Sequence, residues 1–408
     1  MGSIISLGLD NFEIDWGKNQ FFRNHSCLFL ESDKTTGPYF YAGECEEDDP
    51  QTIEKPAYAR RLTSVKRRLE LLGYSLPSCR RMFDEHRAFS FRHAESDEHN
   101  VLTFDRFAAA LVSVDVGRLK VPDQSDNYDF GEYAARCVLS DPSFPSLGLN
   151  GHDLRWSAGE FLDNMDPYVT LRLLAENPRN LDRSVIWRYH DAVDSGFVED
   201  EGIFSGLSPD DQFLVVTEGT SDTNILKKTL IHRYPEVADF FLFVDMKENY
   251  PFSGTGNLLR FVQGLVAIRH LRRTLVVVDN DTVGNEVAGR LSELPLLQNI
   301  AVCVLPTLDS CVHFDTAGPS GRSIEDVNGS AGSIEMFLDL NFEPTLTPIV
   351  RWTSYNAKLD RYQGELERKE EFVRKFLKSG WRSTVYDWSK LSMLWERLFE
   401  ASARLAEK

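Results

Sequence analysis

Four short apolar runs in the second half of the chain constrain its fold more than any other feature. They are Phe213-Leu214-Val215-Val216, Phe240-Phe241-Leu242-Phe243-Val244, Leu275-Val276-Val277-Val278 and Ala301-Val302-Cys303-Val304-Leu305. Each is apolar at every position, as strands of a parallel sheet covered on both faces must be. Between them, residues 222–234, 257–271 and 285–294 carry helical spacing. Strand–helix alternation predicts βαβ units, hence an α/β domain whose Rossmann-like parallel sheet is flanked by helices. In such a sheet, sites form outside the carboxyl ends of the strands. The residues following each run are therefore the ones that matter.

The first half reads differently. Residues 1–45 have the look of short strands with turns, among them Cys27-Leu28-Phe29-Leu30 and Tyr39-Phe40-Tyr41. Residues 44–50 form an acidic loop. Thr63 or Ser64 is placed to cap a helix with apolar positions Val65, Leu69 and Leu72, ending at Gly73. Further amphipathic helices are expected at 104–111, 131–139 and 169–176. Residues 196–211, rich in Gly, Asp and Glu, read as a linker. The expected organisation is an α+β domain over 1–205, an α/β domain over 210–345 and a helical, locally basic C-terminal extension over 346–408.

Composition narrows the function. The 408 residues are 42% hydrophobic and 26% charged, which excludes a disordered chain or a fibre. No apolar run approaches the roughly 18 residues that span a bilayer, so no membrane role is expected. Lys plus Arg is 45 against 63 Asp plus Glu, a net charge of −18. A general basic coat for polyanions is thus absent. Nucleic acid would have to bind a local basic surface or metal ions held by carboxylates. The six cysteines form no C-x-x-C pair and no zinc-finger spacing, which suits free thiols in a reducing cytoplasm. No signal peptide is evident. Met1-Gly2-Ser3-Ile4-Ile5-Ser6 fits the myristoylation pattern, but the alternation of Ile5, Leu7 and Leu9 reads better as a first strand.

Carboxylates cluster after the runs. Thr217-Glu218-Gly219-Thr220-Ser221-Asp222 follows the first run and Asp279-Asn280-Asp281-Thr282-Val283-Gly284 the third. Ala331-Gly332-Ser333-Ile334-Glu335 follows the fourth after an intervening loop. Each piece alone is weak. An Asp-x-Asp after a strand is commonly a solvated turn, and Asp222 alone is a natural helix N-cap. Together they would place several carboxylates on one sheet edge. Such groups repel, so either their pKa values rise or a divalent cation neutralises them. Hard oxygen donors suit Mg²⁺ or Mn²⁺, and two ions roughly 3.5–4 Å apart can clamp a phosphodiester.

Glu218-Gly219 after one strand and Asp279-x-Asp281-x-x-Gly284 after another, 61 residues on, resemble the TOPRIM domain of topoisomerases, DnaG-type primases, small ribonucleases and OLD-family nucleases. Asp222, Gly332-x-x-Glu335 and Ser253-Gly254-Thr255-Gly256-Asn257 are similar to the OLD-type version. The resemblance covers about residues 210–345. It implies Glu218 as metal ligand or general acid/base and Asp279 and Asp281 as ligands of one Mg²⁺. Asp222 and Glu335 would complete a second site. Asn280 stands where a Gly is often found. No Walker motif accompanies these residues, so a full-length OLD ATPase-nuclease is not expected. Nor does the chain hold the apparatus of a topoisomerase or the zinc module of a primase.

Two flanking regions add to this. Residues 346–408 carry 13 Lys and Arg against 9 Asp and Glu. There Arg351, Trp352, Tyr355, Arg361, Tyr362, Gln363 and Lys369 mix cations with aromatics, as nucleic-acid surfaces do. A helix is expected over 357–377, packing through Leu359, Leu366, Val373 and Leu377; its bland reading is an amphipathic helix docked on the sheet. Tyr362-Gln363-Gly364 to Lys369 resembles a segment that follows TOPRIM in defence-associated proteins. That implies Lys369 as the cation stabilising the transition state. At the other end, Gly2-Ser3-x-Ile5-Ser6-Leu7-Gly8, Asp15-Trp16-Gly17-Lys18-Asn19, His25-Ser26 and residues 62–74 resemble the HEPN/Toprim-associated N-terminal domain. The resemblance implies a sensing, regulatory or assembly role there. Arg81 with His86 and Arg183 with His190 match the loose HEPN spacing, a match that nine histidines and many arginines make common.

The leading expectation is a cytoplasmic, metal-dependent endonuclease acting on DNA or RNA. Water attacks phosphorus, Glu218 assists proton transfer, and a homo-oligomer or a partner protein of an antiphage defence system restrains the activity. Two alternatives stay open. Asp279-Asn280-Asp281-Thr282-Val283 fits the D-x-D-x-[TV] motif of haloacid-dehalogenase-type phosphatases, with Asp279 as nucleophile, although that motif normally follows a first strand. The other is a catalytically idle TOPRIM-like module that serves regulation or assembly.

Overall fold

The computed structural model describes residues 4–10, 12–18, 23–41, 51–90, 103–118, 165–244, 255–342, 345–378 and 380–407. The expected acidic loop at 44–50, the helix at 131–139, Cys45, Cys137, Ser253 and Gly254 lie outside these. The chain divides into two compact units, one essentially Met1–Ser208 and the other essentially Pro209–Ala406.

The first unit is built on a five-stranded antiparallel sheet in the order β2-β1-β5-β4-β3. The strands are β1 (Ile4–Leu9), β2 (Phe12–Lys18), β3 (Lys34–Tyr41), β4 (Gln51–Arg61) and β5 (Ser184–Arg188). β5 comes last in sequence yet lies in the middle. Trp187 on β5 stacks on Tyr58 and Phe29, with ring centres 5.7 and 6.3 Å away. Helices α1 (Leu62–Leu71), α2 (Leu76–Ser90), α3 (Phe104–Ser113), α4 (Pro167–Leu174) and α5 (His190–Asp194) complete the unit. Val65, Leu69, Phe83, Phe107 and Leu171 bury their apolar faces.

Local expectations fail here in two places. Cys27-Leu28-Phe29-Leu30 is not a strand, since Ser26–Leu28 is a 3-10 turn. The reason is that its backbone bonds locally, Leu28 N–H to the His25 carbonyl and Phe29 N–H to that of Ser26, both at 3.0 Å, instead of to a neighbouring strand. Nor do Thr63 or Ser64 cap α1. The helix starts at Leu62, and Thr63 Oγ1 donates to the Leu181 carbonyl at 2.7 Å instead. Gly73 does end the turn, at φ +95, where a Cβ would be strained.

The second unit is centred on a parallel four-stranded sheet in the order β10-β8-β6-β7. Its strands, β6 (Phe213–Val216), β7 (Phe241–Phe243), β8 (Thr274–Val278) and β10 (Ile300–Val304), coincide with the four apolar runs to within a residue or so. Helices α6 (Thr220–Arg233), α7 (Thr255–Ala267) and α8 (Thr282–Ser292) fall between them. Val216, Val276 and Val278 pack with Leu258, Val262, Val287 and Leu291 of α7 and α8. Phe213 and Phe241 point the other way, as alternation along a strand requires. Phe241 meets Trp395 and Phe399, ring centres 5.2 and 5.8 Å away, on the C-terminal helix α10 (Ser389–Ala406). The chain is thus a mixed α/β protein whose parallel sheet is covered by helices. No helix among the described residues is long and apolar enough to cross a membrane.

The segment after residue 345 corrects the expectation of a wholly helical extension. A hairpin of β14 (Val350–Asn356) and β15 (Arg361–Leu366) comes first, and only then α9 (Lys369–Lys378) and α10. The helix expected over 357–377 is therefore a turn, a strand and a short helix. The physical cause is local. Asp360 takes φ +53, a left-handed turn that no helix contains. Gly364 and Leu366 are buried while Arg361, Tyr362 and Glu365 are exposed, a strand's alternation. The hairpin extends a second sheet, ordered β12-β11-β14-β15, with β11 (Phe314–Gly318) and β12 (Gly321–Glu325). α9 does dock by an apolar face, through buried Phe372 and Phe376.

Candidate active site

Glu218 and Asp279 leave neighbouring strands at the same rim. β6 and β8 pair in parallel with Val216 opposite Val276, so both chains emerge side by side at their carboxyl ends. The Asp279 backbone N–H donates to Glu218 Oε1 at 3.3 Å. Thr217 steadies the first turn, its hydroxyl 2.8 Å from that of Thr223 and within 3.0 Å of the Gly219 carbonyl.

Asp222 is not the N-cap of α6; it stands three positions past the capping Gly219. From there its Oδ2 accepts from the Gly219 N–H at 2.9 Å. The cap of α8 is Asp281, whose Oδ1 accepts from Gly284 N–H at 2.7 Å. Gly284 is obligatory for close approach, because a Cβ there would lie 2.2 Å from the Asp279 carbonyl oxygen.

Glu335 is brought in by a short ladder. β13 (Ala331–Gly332) pairs antiparallel with β9 (Asn280–Asp281), placing Gly332 opposite Asn280. Three residues on, Glu335 is buried. The hairpin is tied to the same loop. Thr282 Oγ1 donates to the Tyr362 carbonyl at 2.6 Å, Gly364 N–H to that of Ser330 at 2.9 Å, and Val283 N–H to Gln363 Oε1 at 3.1 Å. Lys369, the first residue of α9, comes three positions after the end of β15.

The result is a cavity of about 170 Å³ lined by Glu218, Asp222, Asp279, Asp281, Glu335 and Lys369. All six residues singled out in the sequence therefore face one space. Charge crowding follows. The Asp279 carboxyl is held well above the ordinary carboxylate range, first by burial and then by Asp222, Glu218, Asp281 and Glu335. Asp222 is pushed up to about 7, by burial first and by Glu335 next. The Gly219 N–H, the Ser221 hydroxyl and Lys369 oppose that rise and do not overcome it. Burial draws the Lys369 ammonium downward, yet Glu365 and Glu335 outweigh it and raise its pKa. Its Nζ is 3.5 Å from Glu365 Oε1.

The chemistry of this set fits a hard divalent cation: all five acidic donors are carboxylates, and burial together with neighbouring carboxylates raises the proton affinity of Asp222 and Asp279. Among the described residues, no three His, Cys, Asp or Glu side chains are grouped closely enough to hold one ion as they stand. Glu218 and Asp281 are turned toward backbone amides, and Asp281 Oδ2 also accepts from Gln363 Nε2 at 2.6 Å. Binding an ion would draw their oxygens together within the cavity that they already line.

Three contributors were not singled out as site residues from the sequence. Gln363, counted only in a basic-aromatic surface, orients Asp281. Glu365 lines the cavity and pairs with Lys369. Ser333 lines it with a buried hydroxyl that has no hydrogen-bond partner among the described residues. The period-2 pattern of 361–366 would have put Gln363 and Glu365 on a strand beside the site. Nothing in the sequence marks Ser333. The members of the second HEPN-like pair, by contrast, have separate partners. Arg183 lies 3.5 Å from Asp10, and His190 3.3 Å from Asp194.

A family model described as HEPN/Toprim N-terminal domain 1 matches residues 1–211. The match ends just before β6, so the acidic cavity lies beyond it. No curated protein and no solved structure matches the chain significantly.

Proposed function

The chain belongs to the HEPN/Toprim N-terminal domain 1 family, which makes it a HEPN/Toprim-associated protein, and from that premise we propose that its second unit is an OLD-like TOPRIM nuclease. The reaction is hydrolysis of a phosphodiester in DNA or RNA, dependent on Mg²⁺ or Mn²⁺. One observation carries the reading: five carboxylates from separate segments line a single cavity at the carboxyl end of a parallel sheet, with a lysine at their side.

Glu218, Asp279 and Asp281 would hold one ion, with Asp222 and Glu335 toward a second. A bound divalent ion supplies Lewis-acid polarisation of the phosphoryl group and neutralises the carboxylates. The rest falls to the chain's own groups. Glu218, at the mouth of β6, accepts the proton of the attacking water. Lys369 keeps its proton at neutral pH, because nearby carboxylates raise its affinity, and offsets the charge that grows on the phosphoryl oxygens. Gln363 holds Asp281 in place, and the 218–222 and 279–284 turns exclude a wider arrangement by their backbone hydrogen bonds. An unrestrained nuclease would damage its host. The reading therefore includes restraint by an oligomeric state or a partner protein, in a cytoplasmic effector of antiphage defence.

The test is a substrate panel of plasmid, single strands and tRNA in Mg²⁺ and Mn²⁺. The parent cleaves at least one of them, and the Asp279→Ala, Asp281→Ala double variant loses at least about 10³-fold in rate. Equal cleavage by that variant would end the proposal.

A further inference from the structure

A second and larger cavity, of about 520 Å³, opens beside the acidic one and shares Ser221, Glu335 and Lys369 with it. It runs along α9, where its walls are Lys369, Glu370, Val373, Arg374, Leu377 and Lys378, three cations against one carboxylate. Nine helical steps separate Lys369 from Lys378, about 13.5 Å at 1.5 Å per residue. Cations thus stand at both ends and in the middle, with the apolar Val373 and Leu377 between them. Arg374 and Lys378 are exposed, and the ion pair of Arg374 with Glu371, at 3.7 Å, is weak at such a surface. At the far end, Trp381 Nε1 donates to the Leu377 carbonyl at 3.1 Å. Lys228 Nζ and Arg382 Cζ lie 4.1 and 4.6 Å from the Trp381 ring centre.

This juxtaposition is unusual in a chain of net charge −18. A row of cations broken by apolar side chains matches an extended polyanion with apolar plates between its charges. A single-stranded polynucleotide has that make-up, whereas a duplex hides its base faces and offers phosphates alone. The volume suits about one ordered nucleotide-sized ligand rather than a duplex. We infer that the α9 groove binds the single strand flanking the phosphodiester to be cut. Arg374 and Lys378 contact successive phosphates, Val373 and Leu377 contact a base, and the Lys228–Trp381–Arg382 patch continues the track. The inference rests on the nuclease reading for the identity of the acidic cavity, and it adds strandedness and a path.

The experiment measures binding of labelled oligonucleotides to the full chain by fluorescence anisotropy in chelator, where nothing is cut. Arms are single-stranded DNA, single-stranded RNA and a duplex of the same sequence. The parent is expected to bind at least one single strand tenfold or more tighter than the duplex. The Arg374→Gln, Lys378→Gln variant should weaken that binding at least tenfold. It should also flatten the slope of log K against log salt by about 1.4, the loss of two phosphate contacts. Both residues are exposed, so the variant's melting temperature should stay unchanged, and Arg374→Lys, Lys378→Arg should restore binding. Unchanged affinity and slope in the Gln variant overturn the groove while parental cleavage leaves the nuclease reading intact. A duplex preference overturns the strandedness. A parent that neither binds nor cleaves any arm overturns both.

Discussion

Five carboxylates around one small cavity are an electrostatic burden on the folded state, because buried like charges cannot all ionise without loss. Asp222 shows the consequence. Its pKa rises from about 4 in an unfolded chain to about 7 in the fold. The folded form therefore binds protons that the unfolded form has released between those values. Stability falls as pH rises through that window and is lowest above pH 7. In chelator, the melting temperature of this unit should drop between pH 5 and pH 8, by roughly 2–4 °C for each kcal/mol lost. Asp222→Asn should flatten that decline, and Mg²⁺ at pH 8 should restore much of the loss in the parent. A parent whose stability rises over the same range would show that the carboxylates are not crowded in solution. Gln363 gives a second residue-scale outcome. Gln363→Ala removes the 2.6 Å hydrogen bond to Asp281 without touching the core. Its cleavage rate should fall roughly tenfold or more with the fold intact, and Gln363→Glu, which adds a like charge, should be worse.

Elements, not single side chains, bring the carboxylates together. The two-residue ladder of β13 and β9 and the hairpin of β14 and β15 lash distant segments onto the turn between β8 and α8. That turn depends on Gly284, where even one methyl group would collide with the Asp279 carbonyl. Gly284→Ala should therefore destabilise the unit by about 2–4 kcal/mol in a urea melt. The parallel strands were legible because each apolar run had to be buried on both faces. The hairpin was not legible at first reading. Leu359, Leu366, Val373 and Leu377 fall close to a helical repeat, and the left-handed Asp360 and the buried Gly364 that break it reveal themselves only against Val350 and Ala331. Cys27-Leu28-Phe29-Leu30 misled for a similar reason. An apolar stretch buried on every side is compatible with strand or turn, and the partners alone decide.

At the scale of the whole molecule, the family match and the acidic cavity occupy different compact units. Titrating Mg²⁺ into the full chain during thermal unfolding should raise the transition of the unit holding Pro209–Ala406. Any transition belonging to Met1–Ser208 should stay in place, as mass action on one unit requires. Shifts of equal size in both would argue that the ion binds elsewhere. The chain's sequence determined the alternation of buried strands and helices, and with it the rim where Glu218 and Asp279 emerge, because apolar periodicity is a local property. It also marked the residue types able to carry the chemistry. Only the tertiary structure decided that Glu335 and Lys369 share that rim, that Gln363 holds Asp281, and that α9 leaves a cationic groove beside them. Those facts depend on which segments pair across 50 to 150 residues of chain, and no local pattern encodes such a pairing.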